Sequence, residues 1–583
     1  MRQIFATIIA AAAGVFLLQT ASAQNHTQLH VVTTGDVHGS WFDQPYIEGG
    51  KTKTSLMSVK VYVDSLRQAV GRDNVLLLDA GDNLQGDNAA YYFNNIADQS
   101  KPHPYPRIAK YMGYDAVTIG NHDLETGHDV YDKVFAELTD AGIPWLGGNV
   151  IKKNDGGTYF PLYKIFDRAG VKVAVFGFEN PNMEAWLPEE LWSGMSFLSL
   201  VPYVQSFVDY VVKKEKPQVV IAVVHAGTGN GDGTQLENQA LDLFNSLKGV
   251  DLLVGAHDHR PYVAEKQGFA YINGGARAGS VGHAVIDVHT QGRRVLAKDV
   301  HAELHRIDKN KVDYVMQSAF KDEFEQVKNF TNQEVGEIVP ELRSRDAYAG
   351  PADYVSLIHT VQLSVPEAKI SFAAPLSFNG VVKPGTVIFN DMFTIYPYEN
   401  QLYVVNLKGS EIKGIMECSY ANWIRTPGEH VLLIAPRSDA RTGSEGWSFV
   451  NRSYNFDSTG GLVYTVDVTK PAGERIEIKS FADGSAFDMN AMYPVAMTSY
   501  RASGGGELLL GGAGLDNAKI ESRIVAKYPA IRDMIYQFIK EHKIIDKPLI
   551  ADESVIGSWK FVPEEVAGPL LEKDMELLFH KAK

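Results

Sequence analysis

Short apolar runs alternate, through the first half of the chain, with segments whose apolar positions recur at helical spacing. Residues 29–34, 75–79, 116–119, 171–178, 219–224 and 252–254 are expected strands. Residues 55–70, 128–141, 201–212 and 235–247 carry the helical period. Strands alternating with helices predict an α/β domain built on a largely parallel sheet. From Tyr271 to Val300 the pattern becomes alternating and glycine-punctuated, as in antiparallel strands. Val312, Val315, Met316, Ala319, Phe320, Phe324, Val327 and Phe330 then fall on one face of a single long amphipathic helix, with Lys, Asp and Glu between them.

Beyond about residue 345 the text changes character. Residues 381–391, 402–407 and 460–468 are expected strands and 409–422 a helix, which makes a second, mixed α+β domain. The expected plan is a signal segment at 1–23, a first domain at 24–308, a linker helix region at 309–345, a second domain at 346–558 and a charged tail at 559–583.

Composition narrows the partners. The 583 residues carry a formal charge of -15, which argues against a grip on a nucleic-acid polymer and leaves a small phosphorylated molecule possible where cations hold it. Arg2, the apolar run at 4–18 and Ala21-Ser22-Ala23 have the layout of a cleaved export signal, so the mature chain is expected to begin at Gln24. No Cys follows that run to carry a lipid, and Phe579-His580-Lys581-Ala582-Lys583 is too polar for a lipid-anchor signal. No stable membrane insertion is expected after cleavage, and the oligomeric state is left open. Cys418 is the one cysteine, which rules out an intrachain disulfide and a thiolate metal cage. An exported chain of this size without disulfides fits a bacterial periplasm better than an animal extracellular space, and the expected location is periplasmic or secreted.

The chemistry is concentrated where apolar runs end. Thr34-Gly35 leads into Asp36-Val37-His38, and residues 75–79 into Ala80-Gly81-Asp82. Residues 116–119 lead into Gly120-Asn121-His122-Asp123-Leu124-Glu125. His225 follows 219–224, and His257-Asp258-His259 follows 252–256. Taken singly, a lone histidine is most often a satisfied core residue. In parallel sheets, however, ligands bind beyond the carboxyl ends of strands, so the five sets would converge on one rim. Imidazoles and carboxylates without thiolates suit first-row divalent metals.

Asp36-Val37-His38, Gly81-Asp82, Gly120-Asn121-His122-Asp123, His225 and Gly255-Ala256-His257-Asp258-His259 resemble the motif series of calcineurin-like metallophosphoesterases, in the secreted nucleotidase branch. The resemblance implies a four-layer αββα sandwich followed by a 5'-nucleotidase-type domain. It implies two divalent ions of the Zn, Mn, Fe or Co class. Asp36, His38, Asp82 and His259 would hold one ion, and Asp82, Asn121, His225 and His257 the other. A metal-held hydroxide would attack phosphorus in line. Asn121 and His122 would carry charge on the phosphoryl oxygens, and Glu125 would orient His122. The family pattern has Asp where this chain has Glu125.

In the second domain, Arg452-Ser453-Tyr454-Asn455-Phe456-Asp457 and Thr498-Ser499-Tyr500-Arg501-Ala502-Ser503-Gly504-Gly505-Gly506 resemble the loops that hold a nucleobase between two rings. Tyr500 matches one ring; Tyr454 or Phe456 is the other. Gly504 and Gly505 would let backbone approach the ligand. Ala373-Ala374-Pro375, Tyr454-Asn455-Phe456-Asp457 and Tyr500-Arg501-Ala502 are more similar to 2',3'-cyclic-nucleotide 2'-phosphodiesterase/3'-nucleotidases than to 5'-nucleotidases. The alternatives are a 5'-nucleotidase, a UDP-sugar or other nucleotide hydrolase, a hydrolase of a non-nucleotide ester, and a non-catalytic nucleotide-binding protein.

Overall fold

A computed structural model describes residues 24–438 and 445–579. The expected signal segment at 1–23 lies outside the described residues. Among those residues no helix is long and apolar enough to cross a membrane.

The first domain is a sandwich of two six-stranded sheets. One runs in the order Arg294–Arg306, Ser280–Gln291, Gln24–Thr34, Val75–Asp79, Ala116–Thr118, Trp145–Leu146. The other runs Tyr262–Lys266, Phe269–Asn273, Leu252–Gly255, Val219–Val224, Val171–Phe178, Tyr163–Arg168. The strands that carry the motifs pair in parallel: His30 with Val75, Leu78 with Ala116, Val173 with Val219, and Leu252 with Ile221.

Alternation along each strand builds three apolar layers. Val31, Leu76 and Leu78 meet Val173, Val175, Ile221 and Val254 between the sheets. Val32 and Leu77 face outward onto helices Leu56–Val70, Pro104–Met112 and His128–Asp140. Phe176, Ala222 and Val224 face the other way, onto Leu200–Glu215 and Ala240–Ser246. The result is the four-layer αββα arrangement. The expected helix at 235–247 keeps only Ala240–Ser246, because Gly227 N–H donates to Glu237 O and Ala240 N–H donates to Gly227 O, which holds 235–239 as a turn. Ser280–Gln291 and Arg294–Arg306 form the expected antiparallel hairpin, whereas Phe269–Asn273 pairs in parallel with Leu252–Gly255.

The expected single helix between the halves is two helices, Tyr314–Ala319 and Lys321–Thr331. Phe320 leaves helical geometry at φ −115°, ψ 22°, and buries its ring in the first domain's core. Arg107 lies over that ring at 5.1 Å. Met316, Phe324 and Val327 join the same core, while Phe330 belongs to the second domain's.

The second domain centres on a five-stranded sheet, ordered Ser458–Gly460, Ile370–Ala373, Met492–Thr498, Gln401–Lys408, Ile524–Ala530. Leu402 and Val404 face helix Asp353–Leu363; Tyr403, Val405 and Leu407 face helix Gly409–Trp423. The expected strand at 381–391 is two short strands, Val381–Val382 and Gly385–Ile388, followed by helix Phe389–Ile395. Asp391 sets that change by accepting the Ile388 N–H at 2.9 Å, a cap the apolar pattern hides.

The expected start of the tail at 559 falls inside a strand. Gly557–Val562 pairs in parallel with Leu462–Asp467. Helix Glu564–Phe579 then returns to the body, where buried Asp574 accepts the N–H groups of Val431 and Leu432 at 2.9 and 2.8 Å.

Tyr91, from the first domain, is packed in the second domain's core. Its ring lies 5.3 Å from Phe389 and 6.2 Å from Phe330. Its hydroxyl donates to Asp533 Oδ1 at 2.6 Å, and Arg532 lies over the ring at 4.9 Å.

Candidate metal centre

All seven expected donors lie just beyond the carboxyl ends of strands, and the two sheets contribute from opposite sides. The first sheet presents Asp36, His38, Asp82 and Asn121. The second presents His225, His257 and His259. Asp36, His38 and His259 bring their donor atoms within 4.8 Å of one another, and so do Asp82, His225 and His257.

The turns that achieve this are strained. Asp36, His38, Asp82, His257 and His259 all have left-handed φ, between 49° and 74°. Non-glycine residues are uncommon there and persist where surroundings over-determine them. Here the turns lock together: Asp36 N–H donates to Gly81 O at 2.9 Å, and His38 N–H to Asp82 O at 2.8 Å. His257 N–H donates to both carboxylate oxygens of Asp36, at 3.0 and 2.9 Å. A Cβ on Gly120 would stand 2.2 Å from Asp82 Oδ1, so this approach requires glycine.

Hydrogen bonds at the far side of two rings fix which nitrogen faces inward. His225 Nδ1 donates to Ala80 O at 2.7 Å, and His38 Nδ1 donates to Gln85 O at 3.0 Å. Nε2 of each ring is thereby the inward-facing nitrogen, and it offers a lone pair when the ring is neutral. His38 Nε2 faces His259 Nε2 at 2.8 Å. His225 Nε2 faces Asp82 Oδ2 at 3.1 Å and Asn121 Oδ1 at 3.1 Å, and His257 Nδ1 meets the same Asn121 oxygen at 2.9 Å. Asp82 Oδ2 is buried without a satisfied hydrogen bond. Converging imidazole nitrogens and a buried carboxylate oxygen without a hydrogen bond are the donor set a cation takes.

Burial opposes a charged His225 ring, but Asp82, Glu179 and Asp36 prevail and raise it well above its ordinary value. Burial pushes the Asp36 carboxyl well above its ordinary range. Burial acts on Asp82 in the same sense, but the charges of His225 and His122 outweigh it and hold that carboxyl well below. Burial keeps His38 neutral and lowers His259 to about 4. Glu179 is fully buried with neither carboxylate oxygen hydrogen-bonded, and burial pushes it well up.

His122 stands beside the first cluster, its ring 5.3 Å from that of His38. Its Nδ1 is bonded to Glu125 Oε2 at 2.5 Å, so the longer Glu does make the orienting contact. Burial opposes a charged ring, but Glu125 and Asp82 prevail and raise His122 to about 10.

Three further carboxylates support the donors. Asp123 is fully buried and accepts four main-chain N–H groups, from Asp82 (3.0 Å), Asn83 (2.8 Å), Leu84 (2.9 Å) and Gly120 (2.9 Å). Asp79 accepts from Gly81 N–H at 2.9 Å and Asn83 Nδ2 at 2.6 Å. Asp258 accepts from Thr228 N–H at 2.8 Å and Asn273 Nδ2 at 2.9 Å. Trp186 stacks on His257 at 5.3 Å and 10°, and Glu237 Oε2 lies 3.9 Å from His257 Nε2. Acidic residues within three positions of a donor were the signal available for these carboxylates; the tryptophan had none.

In the second domain Tyr500 is 38% exposed, and its ring centroid is 6.3 Å from that of Tyr454. The rings meet edge to face, at 84°. Phe456 is corrected outright: it is fully buried and stacked on Trp423 at 5.6 Å and 5°. Gly504 has φ 90°, and Gly505 packs against the Tyr500 ring, so these glycines also serve that side chain. Burial raises the Glu399 carboxyl, Arg532 lowers it, and the charge of Glu125 raises it further.

Residues 29–261 match the family described as calcineurin-like phosphoesterase, and 329–510 match the 5'-nucleotidase C-terminal domain. The chain is 24% identical to the trifunctional nucleotide phosphoesterase protein YfkN of Bacillus subtilis, over 96% of this chain and 40% of that protein's length. It is 25% identical to the 2',3'-cyclic-nucleotide 2'-phosphodiesterase/3'-nucleotidase of Haemophilus influenzae, over 86% of this chain and 84% of the relative. A Staphylococcus aureus structure provisionally named a 5'-nucleotidase superposes with a TM-score of 0.75 at 19% identity, covering 92% of this chain and all of that one; that likeness carries the fold. The chain is a calcineurin-like phosphoesterase joined to a 5'-nucleotidase C-terminal domain, and so a metal-dependent phosphoric ester hydrolase.

Proposed function

We propose that this protein is an exported dinuclear phosphoesterase that hydrolyses 2',3'-cyclic nucleotides and 3'-nucleotides. The convergence of seven N and O donors from two sheets on one rim carries this reading. Asp36, His38, Asp82 and His259 would hold one divalent ion, and Asp82, Asn121, His225 and His257 the other, with Asp82 shared. Bound there, two ions supply Lewis acidity toward phosphoryl oxygens and lower the pKa of a coordinated water.

The chain's own residues supply the rest. His122, with Nδ1 occupied by Glu125, presents Nε2 to carry charge on a phosphoryl oxygen or to give a proton to the leaving oxygen. Tyr500 and Tyr454 offer the base a stacking surface, which selects nucleotides over simple esters. Placement of the base relative to the donors decides which ester enters. Relatives named 2',3'-cyclic-nucleotide 2'-phosphodiesterase/3'-nucleotidase, matched along most of this chain, support that substrate class. The layout of residues 1–23 supports export to the periplasm.

The test is phosphate release from 2',3'-cyclic AMP, 3'-AMP and 5'-AMP side by side, with and without chelator. Chelator-sensitive release from the first two is expected. Release from 5'-AMP alone would make the protein a 5'-nucleotidase.

A further inference from the structure

We propose that Arg501 is a positioning residue that joins the Tyr454 and Tyr500 loops into one platform and takes no part in holding phosphate. An arginine beside a glycine run, in a phosphoesterase, invites the opposite assignment. Its contacts decide the matter. The side chain is 3% exposed, and all five guanidinium N–H groups have acceptors within the protein. Nε donates to Asp457 Oδ2 at 2.8 Å. Nη2 donates to Asp457 Oδ1 at 3.0 Å and to Tyr454 O at 3.2 Å. Nη1 donates to Gly505 O at 2.6 Å and to Asn455 Oδ1 at 3.2 Å. No donor remains for an anion.

Those acceptors lie on both aromatic loops. Tyr454, Asn455 and Asp457 form one; Gly505 closes the other, which begins at Tyr500. The guanidinium also lies 5.4 Å from the Tyr500 ring centroid. Asp457 is itself anchored, because Ser419 Oγ donates to its carbonyl at 2.8 Å from helix Gly409–Trp423. The glycines make room for this arrangement. A Cβ on Gly505 would stand 2.4 Å from Tyr500 Cε2, and one on Gly506, at φ 69°, 2.4 Å from Arg501 Nη1. Arginine is required because its planar fork spans a carboxylate and two carbonyls at once; a lysine keeps the charge and loses the span.

This inference rests on the proposed nucleotide reading, so the experiment separates the two. Arg501→Lys, Asn455→Ala and Tyr500→Ala are compared on p-nitrophenyl phosphate and on whichever of 3'-AMP and 5'-AMP the enzyme hydrolyses faster, with Tm measured for each. Arg501→Lys is expected to raise KM for the nucleotide about tenfold, with kcat and the p-nitrophenyl phosphate parameters within about twofold. Asn455→Ala, which leaves the ion pair intact, is expected to shift the same ratio about threefold. A Tyr500→Ala effect without an Arg501→Lys effect overturns the positioning role and leaves the stacking reading standing. No effect of Tyr500→Ala overturns both. If Arg501→Lys does not fold, an unchanged ratio in Asn455→Ala overturns the role.

Discussion

The carboxylate of Asp123 accepts the main-chain N–H of Asp82 at 3.0 Å, so one buried acid sets the turn from which another is presented. Its other oxygen takes the N–H groups of Asn83 and Leu84, the next two residues of that turn. In Asp123→Asn an amide NH2 would face main-chain N–H groups. Outer contacts of this kind are worth about 10- to 100-fold in metal affinity. Titration of the apo-protein with zinc or manganese is expected to show that loss. Unchanged affinity would mean the turn holds its shape without the fourfold acceptor.

Asp82→Asn is expected to abolish phosphate release while leaving Tm close to that of the parent protein, because the substitution removes a buried charge and adds no bulk. Chelation of the parent is expected to do the same, with activity restored by a divalent ion of the zinc or manganese class. Near-normal release from Asp82→Asn would refute its shared role.

Glu125→Gln removes the charge that keeps the His122 ring protonated. If His122 donates to the leaving oxygen, the loss falls on poor leaving groups. A drop in kcat of about 10²-fold is expected for a nucleoside monophosphate and a much smaller one for p-nitrophenyl phosphate, whose leaving group needs no proton. Equal losses on both would assign His122 to the phosphoryl oxygens alone.

His103 and His359 are buried, and burial lowers each to about 3. His359, in the second domain, is held neutral between Ser371 Oγ at 2.7 Å and Ser458 Oγ at 3.1 Å. Both folded-state values lie below the unfolded value of about 6.5. Between these limits the unfolded chain binds protons that the folded chain refuses, so stability is fully present above about pH 6.5 and declines as pH falls. For one such histidine the loss between pH 7 and pH 5 is roughly 2 kcal/mol. Urea unfolding of His359→Asn at both pH values is expected to show a difference smaller than the parent's by about that amount. An equal difference would mean His359 titrates normally.

The donors were legible because each follows an apolar run long enough to be a buried strand, and the end of a parallel strand is a defined place in a sheet. The features that sequence left hidden depend on what a side chain meets across the fold. Nothing around Phe456 separates a ring facing a ligand from one stacked on Trp423. Phe320 keeps the helical period even though the backbone breaks there, since the ring goes to the core either way. Asp123 follows a donor and was left unassigned, because its four N–H partners come from two different strand ends. Asp391 ends an apolar run as a cap, where the same pattern read as a continued strand.

The seating of Tyr91 in the neighbouring core bears on how the two halves can travel. Tyr91 acts as a peg: its ring is gripped by Phe389 and Phe330, and its hydroxyl by Asp533. Any swing of one half against the other must pivot about this peg or extract it. Movement that brings Tyr500 toward or away from the metal donors is therefore steered by a residue that touches neither.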